Sequence, residues 1–348
     1  MTSRYAATAD ELAELMTELG QPPYRVDQLR RGLWETRAPL DQLTALPKEL
    51  RVELDARLPL ALTPILERRS HDNATTKWLW QAQGGDQVET VLMRSADRAT
   101  VCVSSQAGCA MGCTFCATGQ AGFERHLDRG EIVEQVLRAQ HTTDQRVSNV
   151  VFMGMGEPLA NLDEVEPAIE RLHADLGLSA RKITVSTVGV VPGIDRLREF
   201  ALPVTLAVSL HAPDDALRET LVPLNRRYPI SAVLDAARAY VEAKGRRVTF
   251  EYACIAGIND HPHLADALGG RLAGFPGGAH VNLIPLNATA EFTGRPPDSG
   301  RIAAFADRLR ALGVNATVRR NRGTDIDAAC GQLRMRSAAP GPVPRLSP

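Results

Sequence analysis

The stretch Val147-Ser-Asn-Val-Val-Phe-Met-Gly-Met-Gly-Glu-Pro158 decides the fold of this chain. Residues 147–153 have the length and β-branched content of a buried strand. Gly154-Met-Gly156-Glu157-Pro158 ends it, and residues 162–176 then carry apolar side chains at helical spacing. The same alternation continues along the chain. Strands are predicted over 183–187, 204–210, 248–255 and 280–285, and helices over 131–140, 230–244, 264–272 and 302–312. Short apolar strands separated by amphipathic helices imply an α/β fold with a parallel sheet covered by helices. In such sheets ligands bind beyond the carboxyl ends of the strands. Glu157, Ser186, Ser209, His211 and Asn287 all fall at those ends, which favours one mouth-like site gathered by a barrel or partial barrel.

Upstream the pattern changes. Residues 1–60 read as a small helical unit, with helical periodicity over 9–19, 25–34 and 40–58. Residues 75–103 turn to strand, including Lys77-Trp-Leu-Trp, Val88-Glu-Thr-Val-Leu-Met and Ala99-Thr-Val-Cys-Val. The last residues, 337–348, are rich in Pro, Ala and Ser and read as a flexible tail. The chain has 348 residues, 44% hydrophobic and 23% charged, the composition of a soluble globular protein with one large and one smaller domain. No apolar run is long enough to span a bilayer, and the start lacks the apolar core of a secretory signal. A cytoplasmic location with reduced thiols is therefore expected. The net charge of −1 announces no nucleic-acid partner, so any such role needs local basic patches.

Between the strand region and the alternation lies Cys102-Val-Ser-Ser-Gln-Ala-Gly-Cys109-Ala-Met-Gly-Cys113-Thr-Phe-Cys116. Half of the six cysteines fall within eight residues. Three thiolates can hold three corners of a cubane iron–sulfur cluster and leave the fourth iron open. A structural zinc site normally takes four ligands, often as two Cys-x2-Cys pairs, and only one such pair is present. Zinc with Cys102 or His126 as the fourth ligand stays open on spacing alone. Other residues are ambiguous by themselves. Cys330 beside Ala328-Ala329 reads as a small buried hydrophobe, Cys102 and Cys254 as core, Glu89 as a surface carboxylate and His211 as a loop histidine.

The triplet followed by an α/β chain resembles the radical S-adenosylmethionine (SAM) superfamily. The resemblance sharpens with Val88-Glu89-Thr90, Cys102-Val-Ser-Ser-Gln, Phe115-Cys116-Ala-Thr-Gly119 and Gly323-Thr-Asp-Ile-Asp-Ala-Ala-Cys330-Gly-Gln-Leu. These are similar to motifs of the RlmN/Cfr family of RNA adenine methyltransferases, in order and over essentially the whole chain. The resemblance implies a partial (β/α)6 TIM-like barrel over 95–336, ending in a methyl-carrier loop. It also implies a β extension over 61–94 and an RNA-contacting helical domain over 1–60. It implies a 4Fe–4S cluster on Cys109, Cys113 and Cys116, whose open iron binds SAM. Gly156, Glu157, Ser186, Ser209, Leu210, His211 and Asn287 match its cofactor-contact positions.

By the same resemblance, one SAM methylates Cys330 and a second supplies a radical that activates the S-methyl group for addition to adenine. Two cofactor molecules are thus used per turnover. The route answers a chemical problem, because C2 of adenine is electrophilic and cannot accept a methyl cation. Cys102 is then the thiol that resolves the protein–RNA adduct, forming a transient disulfide with Cys330, and Glu89 is the proton acceptor. The implied substrates are an adenosine of 23S rRNA and one of tRNA. A flavodoxin or ferredoxin is the implied reductant, and a monomer the implied state. The basic segments 25–37, 225–227, 246–247 and 319–322 are candidates for phosphate contact. The target base must leave its stack to reach a buried site. The rivals are methylation at C8 and, in another class, a non-catalytic zinc-stabilised RNA-binding protein. His126, Leu286 and the stretch 287–295 depart from the family pattern.

Overall fold

The structure, a computed structural model, describes residues 2–289, 291–319 and 322–333. The expected tail, the end of the expected barrel from 334, and Arg320 and Asn321 of the basic segment 319–322 lie outside the described residues.

Three helices open the chain: α1 (Ala9–Glu18), α2 (Tyr24–Arg30) and α3 (Lys48–Arg57). Thr8 caps α1 in a reciprocal capping box with Glu11, and Leu12, Leu15 and Met16 face inward. The predicted helix over 25–34 is instead α2 followed by a π-helical turn, Arg31–Thr36, that contains Gly32. A Cβ at Gly32 would lie 2.5 Å from Leu43 Cδ1, so the turn packs tightly on the next segment. The predicted helix over 40–58 is cut by Pro47, which can start α3 but not continue an earlier helix.

Four strands follow as an antiparallel run: β1 (Leu62–Arg69), β2 (Thr75–Ala82), β3 (Gln87–Ser95) and β4 (Arg98–Cys102). Next come a small hairpin, β5 (Gln106–Gly108) with β6 (Phe123–His126), enclosing α4 (Ala117–Ala121), and then α5 (Arg129–Gln140). The alternation proceeds as β7 (Val147–Phe152), α6 (Leu162–Ala174), β8 (Ile183–Thr187), α7 (Val191–Glu199), β9 (Thr205–Ser209), α8 (Asp215–Leu221), α9 (Ile230–Lys244), β10 (Thr249–Cys254), α10 (Pro262–Leu272), β11 (His280–Pro285), α11 (Ser299–Ala311) and β12 (Asn315–Val318). β4 and β7–β12 run parallel, in the order of the chain, as expected of a radical SAM α/β fold. β12 adds a strand beyond the six that were anticipated, and β1–β3 continue the same ten-stranded sheet on the other side of β4.

The two faces of the parallel part differ sharply. Phe152, Val185, Val208, Phe250, Tyr252 and Leu283 are buried on one face beneath the helices and belong to the main core. The register pairs Ser209 with Glu251, Glu251 with Asn282 and Asn282 with Thr317, so these polar residues share the other face. Core burial thus fixes the sheet's register and presents a polar inner surface. The N-terminal helices join the same core through Leu12, Met16, Leu29, Trp34 and Leu54. Arg171 of α6 lies 5.6 Å over the Trp34 ring, and the Glu134 carboxylate of α5 accepts the Ala61 N–H at 2.7 Å.

Candidate active site

β4 ends at Cys102, and the next segment carries the cysteine triplet into a cavity at the strand ends. The β5–β6 hairpin clasps that segment: the Cys109 N–H donates to Gly122 O at 2.7 Å. Gly108 has φ +74°, and a Cβ there would sit 2.1 Å from Gly122 O, so only glycine fits where the arms cross. A Cβ on Gly119 of α4 would meet the Cys113 backbone at 2.9 Å. From below, α8 supports the loop, since the Thr114 N–H donates to Leu221 O at 3.0 Å. Arg218 holds α8 in turn. Its fully buried guanidinium donates to Leu210 O, Ser209 O and Val188 O at the strand ends and to Asn225.

The cavity spans roughly 1040 Å³, partly open to solvent. Cys109, Cys113 and Cys116 line it, with Gly156, Glu157, Ser186, Ser209, His211, Asn287 and Cys330. The strand-end residues expected to gather do gather, with one exception. Leu210 is buried in the main core and is not among the cavity-lining residues; its N–H donates to Glu251 O. Glu157 ties two loops together, its carboxylate accepting the Leu159 N–H (3.0 Å) and the Val188 N–H (2.9 Å). Burial pushes its carboxyl up to about 7, against those hydrogen bonds. Ser186 and Ser209 face each other, their hydroxyls 3.5 Å apart.

His211 adopts a left-handed φ of +62° and packs edge-on against Phe115, with ring centroids 4.8 Å apart. The Ala253 N–H donates to its Nδ1, so the neutral ring carries its proton on Nε2. Burial, assisted by the Arg218 charge, lowers its pKa to about 3. His126, one of the departures, takes a partner in the Gln106 amide at 3.0 Å.

A second cavity adjoins the first on the polar inner face of the sheet. It is lined by Cys102, Asn149, Thr184, Asn282 and Arg322 among others, and Asn287, Arg319 and Cys330 line both cavities. Cys330 therefore stands at the junction. Its exposed surface opens to the cavities, while the surrounding protein raises its thiol pKa, an effect that the Arg319 charge opposes. The loop bearing it is pinned by the Asn287 amide donating to Cys330 O (3.0 Å) and by the Ala117 N–H donating to Gly331 O (2.8 Å). Cys102 shares an apolar patch with Ile326, Ala328 and Leu333 of that loop. Glu89 lies on β3, buried, and lines neither cavity. Cys254 is core, as its sequence context indicated.

One inner-face residue escaped the sequence reading. Glu251 sits within an apolar strand; its Oε1 accepts from Asn282, and its Oε2 is buried without a hydrogen-bond partner. A carboxylate inside an otherwise buried strand was the available signal. Asn287 Oδ1 is buried and unpartnered in the same way.

The donor set fits the groups that the fold implies. Burial pushes the Cys109 thiol up to about 12 and the Cys113 thiol well above the usual range. Direct bonding to a cationic iron centre reverses that preference, because the metal stabilises the thiolate. Among the described residues no three His, Cys, Asp or Glu side chains already stand in metal-ligand geometry; the three cysteines share a cavity rather than a closed cage. The unpartnered acceptors Glu251 Oε2 and Asn287 Oδ1 suit a ligand rich in amino and hydroxyl donors, as SAM is.

Comparison with known proteins agrees with this arrangement. Residues 103–268 match the Radical SAM superfamily. The probable dual-specificity RNA methyltransferase RlmN of Frankia casuarinae is 51% identical over 342 residues, covering 94% of this chain and 81% of that protein. The Synechococcus elongatus protein of the same description is 49% identical over 331 residues, covering 93% of this chain and 91% of its own. The crystal structure of a radical SAM methyltransferase from Sphaerobacter thermophilus superposes with a TM-score of 0.92 at 48% identity, covering 96% of this chain and 99% of that one. The chain therefore belongs to the RlmN family of radical SAM, dual-specificity RNA methyltransferases.

Proposed function

We propose that this protein methylates C2 of an adenosine in 23S rRNA and of an adenosine in tRNA, using Cys330 as the methyl carrier. The observation that carries this reading is the place of Cys330, at the junction between the cavity of the cysteine triplet and the cavity that contains Cys102. A carrier must face the cofactor in one step and the base in another, and this is the position that requires. When bound, the cluster and two SAM molecules per turnover supply a methyl cation equivalent for loading and a hydrogen-abstracting radical for transfer.

The chain's residues do the rest. Cys109, Cys113 and Cys116 hold the cluster. Gly156, Glu157, Ser186, Ser209, His211 and Asn287 orient SAM, with Leu210 restricted to backbone contact by its burial. Cys330 accepts the methyl group and presents it to the adenine. Glu89 takes the C2 proton from the resulting adduct; Cys102 then attacks the Cys330 sulfur, the S–CH2 bond breaks with its electron pair going to the methylene carbon, and that carbon takes up a proton to become the product methyl group, leaving a Cys102–Cys330 disulfide. Burial raises the Cys102 thiol pKa, so the thiol must lose its proton before it can attack.

The helical unit of residues 1–60 and the basic residues around Arg319 and Arg322 contact RNA phosphates. A flavodoxin or ferredoxin delivers the electron, and the enzyme works as a cytoplasmic monomer. Among the described residues no helix is long and apolar enough to cross a membrane.

Mass spectrometry of rRNA and tRNA from cells with and without this chain tests the proposal. The expected product is 2-methyladenosine; 8-methyladenosine alone would overturn the regiochemistry. Cys330→Ala should abolish RNA methylation and retain the cluster's iron and sulfide, and methylated RNA from that variant would refute the carrier role.

A further inference from the structure

Strands β2 and β3 enclose a buried ion pair whose lysine the reaction scheme leaves unused. Lys77 Nζ lies 3.1 Å from Glu89 Oε1, and the side chains are only 10% and 5% exposed. The register explains the meeting. Lys77 pairs with Val91 and Glu89 with Leu79, so lysine and glutamate are diagonal neighbours on one face of the antiparallel pair. Val91 pairs onward with Cys102, which puts the resolving thiol on that same face. The Lys77 ammonium has a further acceptor, since Nζ also donates to Asp327 O at 2.9 Å. Asp327 holds a left-handed φ of +53° three positions before Cys330. A single cation thus spans the proposed proton acceptor and the backbone of the carrier loop.

We propose that Lys77 is a positioning residue of this active site: it keeps Glu89 ionised and holds the Cys330 loop in register with that carboxylate. The inference rests on Glu89 as the proton acceptor. It accounts for how a carboxylate outside both cavities is kept beside the loop that delivers the adduct. Radical addition leaves one unpaired electron on the alkylated adenine, and the oxidised iron–sulfur cluster would be the acceptor that takes it; the C2–H bond of the resulting cation then breaks, its electron pair restores the aromatic ring, and the proton passes to the Glu89 carboxylate. Removing an adjacent ammonium from a buried carboxylate disfavours the ionised form, and the fraction that already holds a proton cannot take another. A buried salt bridge adds little net stability, but it is costly to break from one side.

The test uses the full-length reconstituted enzyme with tRNA or rRNA and three readouts: methylation of Cys330 by intact mass, covalent protein–RNA adduct on a denaturing gel, and free methylated RNA. Lys77→Met should still load the methyl group and form adduct, but release product at least about a hundredfold more slowly, so that adduct accumulates. Lys77→Arg keeps the charge and should restore part of the release. Glu89→Gln should stall at the same stage, and the double variant should be no slower than either single one. Wild-type release from Lys77→Met with a stalled Glu89→Gln overturns the role of Lys77 alone. Normal release from Glu89→Gln overturns the acceptor reading and this inference with it. Loss of Cys330 methylation in both Lys77 variants would mark Lys77 as structural and refute the proposal.

Discussion

His211 illustrates how a single residue is shaped by what surrounds it. Its φ of +62° is uncommon for a residue with a side chain, and the strain is borne because the ring is locked from several sides. Nδ1 accepts the Ala253 N–H, the ring packs on Phe115, and the backbone carbonyl accepts from Asn259. The imidazole stays neutral when folded, with a pKa of about 3 against 6.5 in the unfolded chain. Between those values the unfolded state binds a proton that the folded state does not. The contribution is therefore fully present above 6.5 and is lost as the pH falls toward about 3. Substituting His211→Asn, which tolerates left-handed backbone, should flatten the acid side of the stability profile by about 1.4 kcal/mol per pH unit in that window. Urea denaturation across the window measures this, and an unchanged slope would show that His211 is charged when folded.

At the scale of elements, the cysteine loop is the part most dependent on its supports. The triplet's own turn, in which the Cys116 N–H donates to Cys113 O, is braced from outside by the β5–β6 hairpin, α4 and α8. Gly119 lies in α4 without the positive φ of Gly108, so a Cβ there tests the packing contact alone. Gly119→Ala places a methyl group 2.9 Å from the Cys113 amide and 3.0 Å from its carbonyl, both backbone atoms that cannot turn aside. The loop must shift, and iron bound per chain after anaerobic reconstitution should fall well below wild type. Full iron content would mean that the loop relaxes freely.

The elements also show where sequence periodicity succeeds and fails. Strands such as β7, β8 and β11 were legible because they are short, rich in β-branched residues and bounded by flanking glycines or prolines. α7 and α8 were not, because seven to nine residues cover too few turns for a clear period, and Pro192 and Gly193 open α7. β12 is four residues long and mostly exposed, so only its partner β11 identifies it as a strand.

Over the whole molecule, the antiparallel strands β1–β3, the parallel strands and the N-terminal helices share one sheet or one apolar core. Leu29, Leu54 and Trp34 of the helical unit pack in the same cluster as Phe152 and Leu283 of the sheet. A shared core couples their unfolding. Calorimetry of the reconstituted protein should show a single cooperative transition; a separate early transition for the first helices would contradict this packing. The same continuity reaches the loop that bears Cys330: Lys77 of β2 donates to Asp327 O, and Arg322 and Asp325 of that loop reach back to Arg94 and His71.

The sequence by itself determined the kind of chemistry. Cysteine spacing, strand–helix alternation and the Cys330 motif are local patterns, set by covalent spacing and by the periodicity of burial. Spacing and alternation indicated a cluster and a parallel α/β sheet, and the resemblance of these motifs to known ones pointed to the radical SAM fold and the methyltransferase family. Only the tertiary structure decided which residues meet. The inner-face carboxylate Glu251, the junction at Cys330 and the Lys77 bridge depend on strand register and loop docking, which bring together positions up to 250 residues apart. Register is fixed by the burial of the opposite, apolar face against the helices, and no local pattern of residues carries that information.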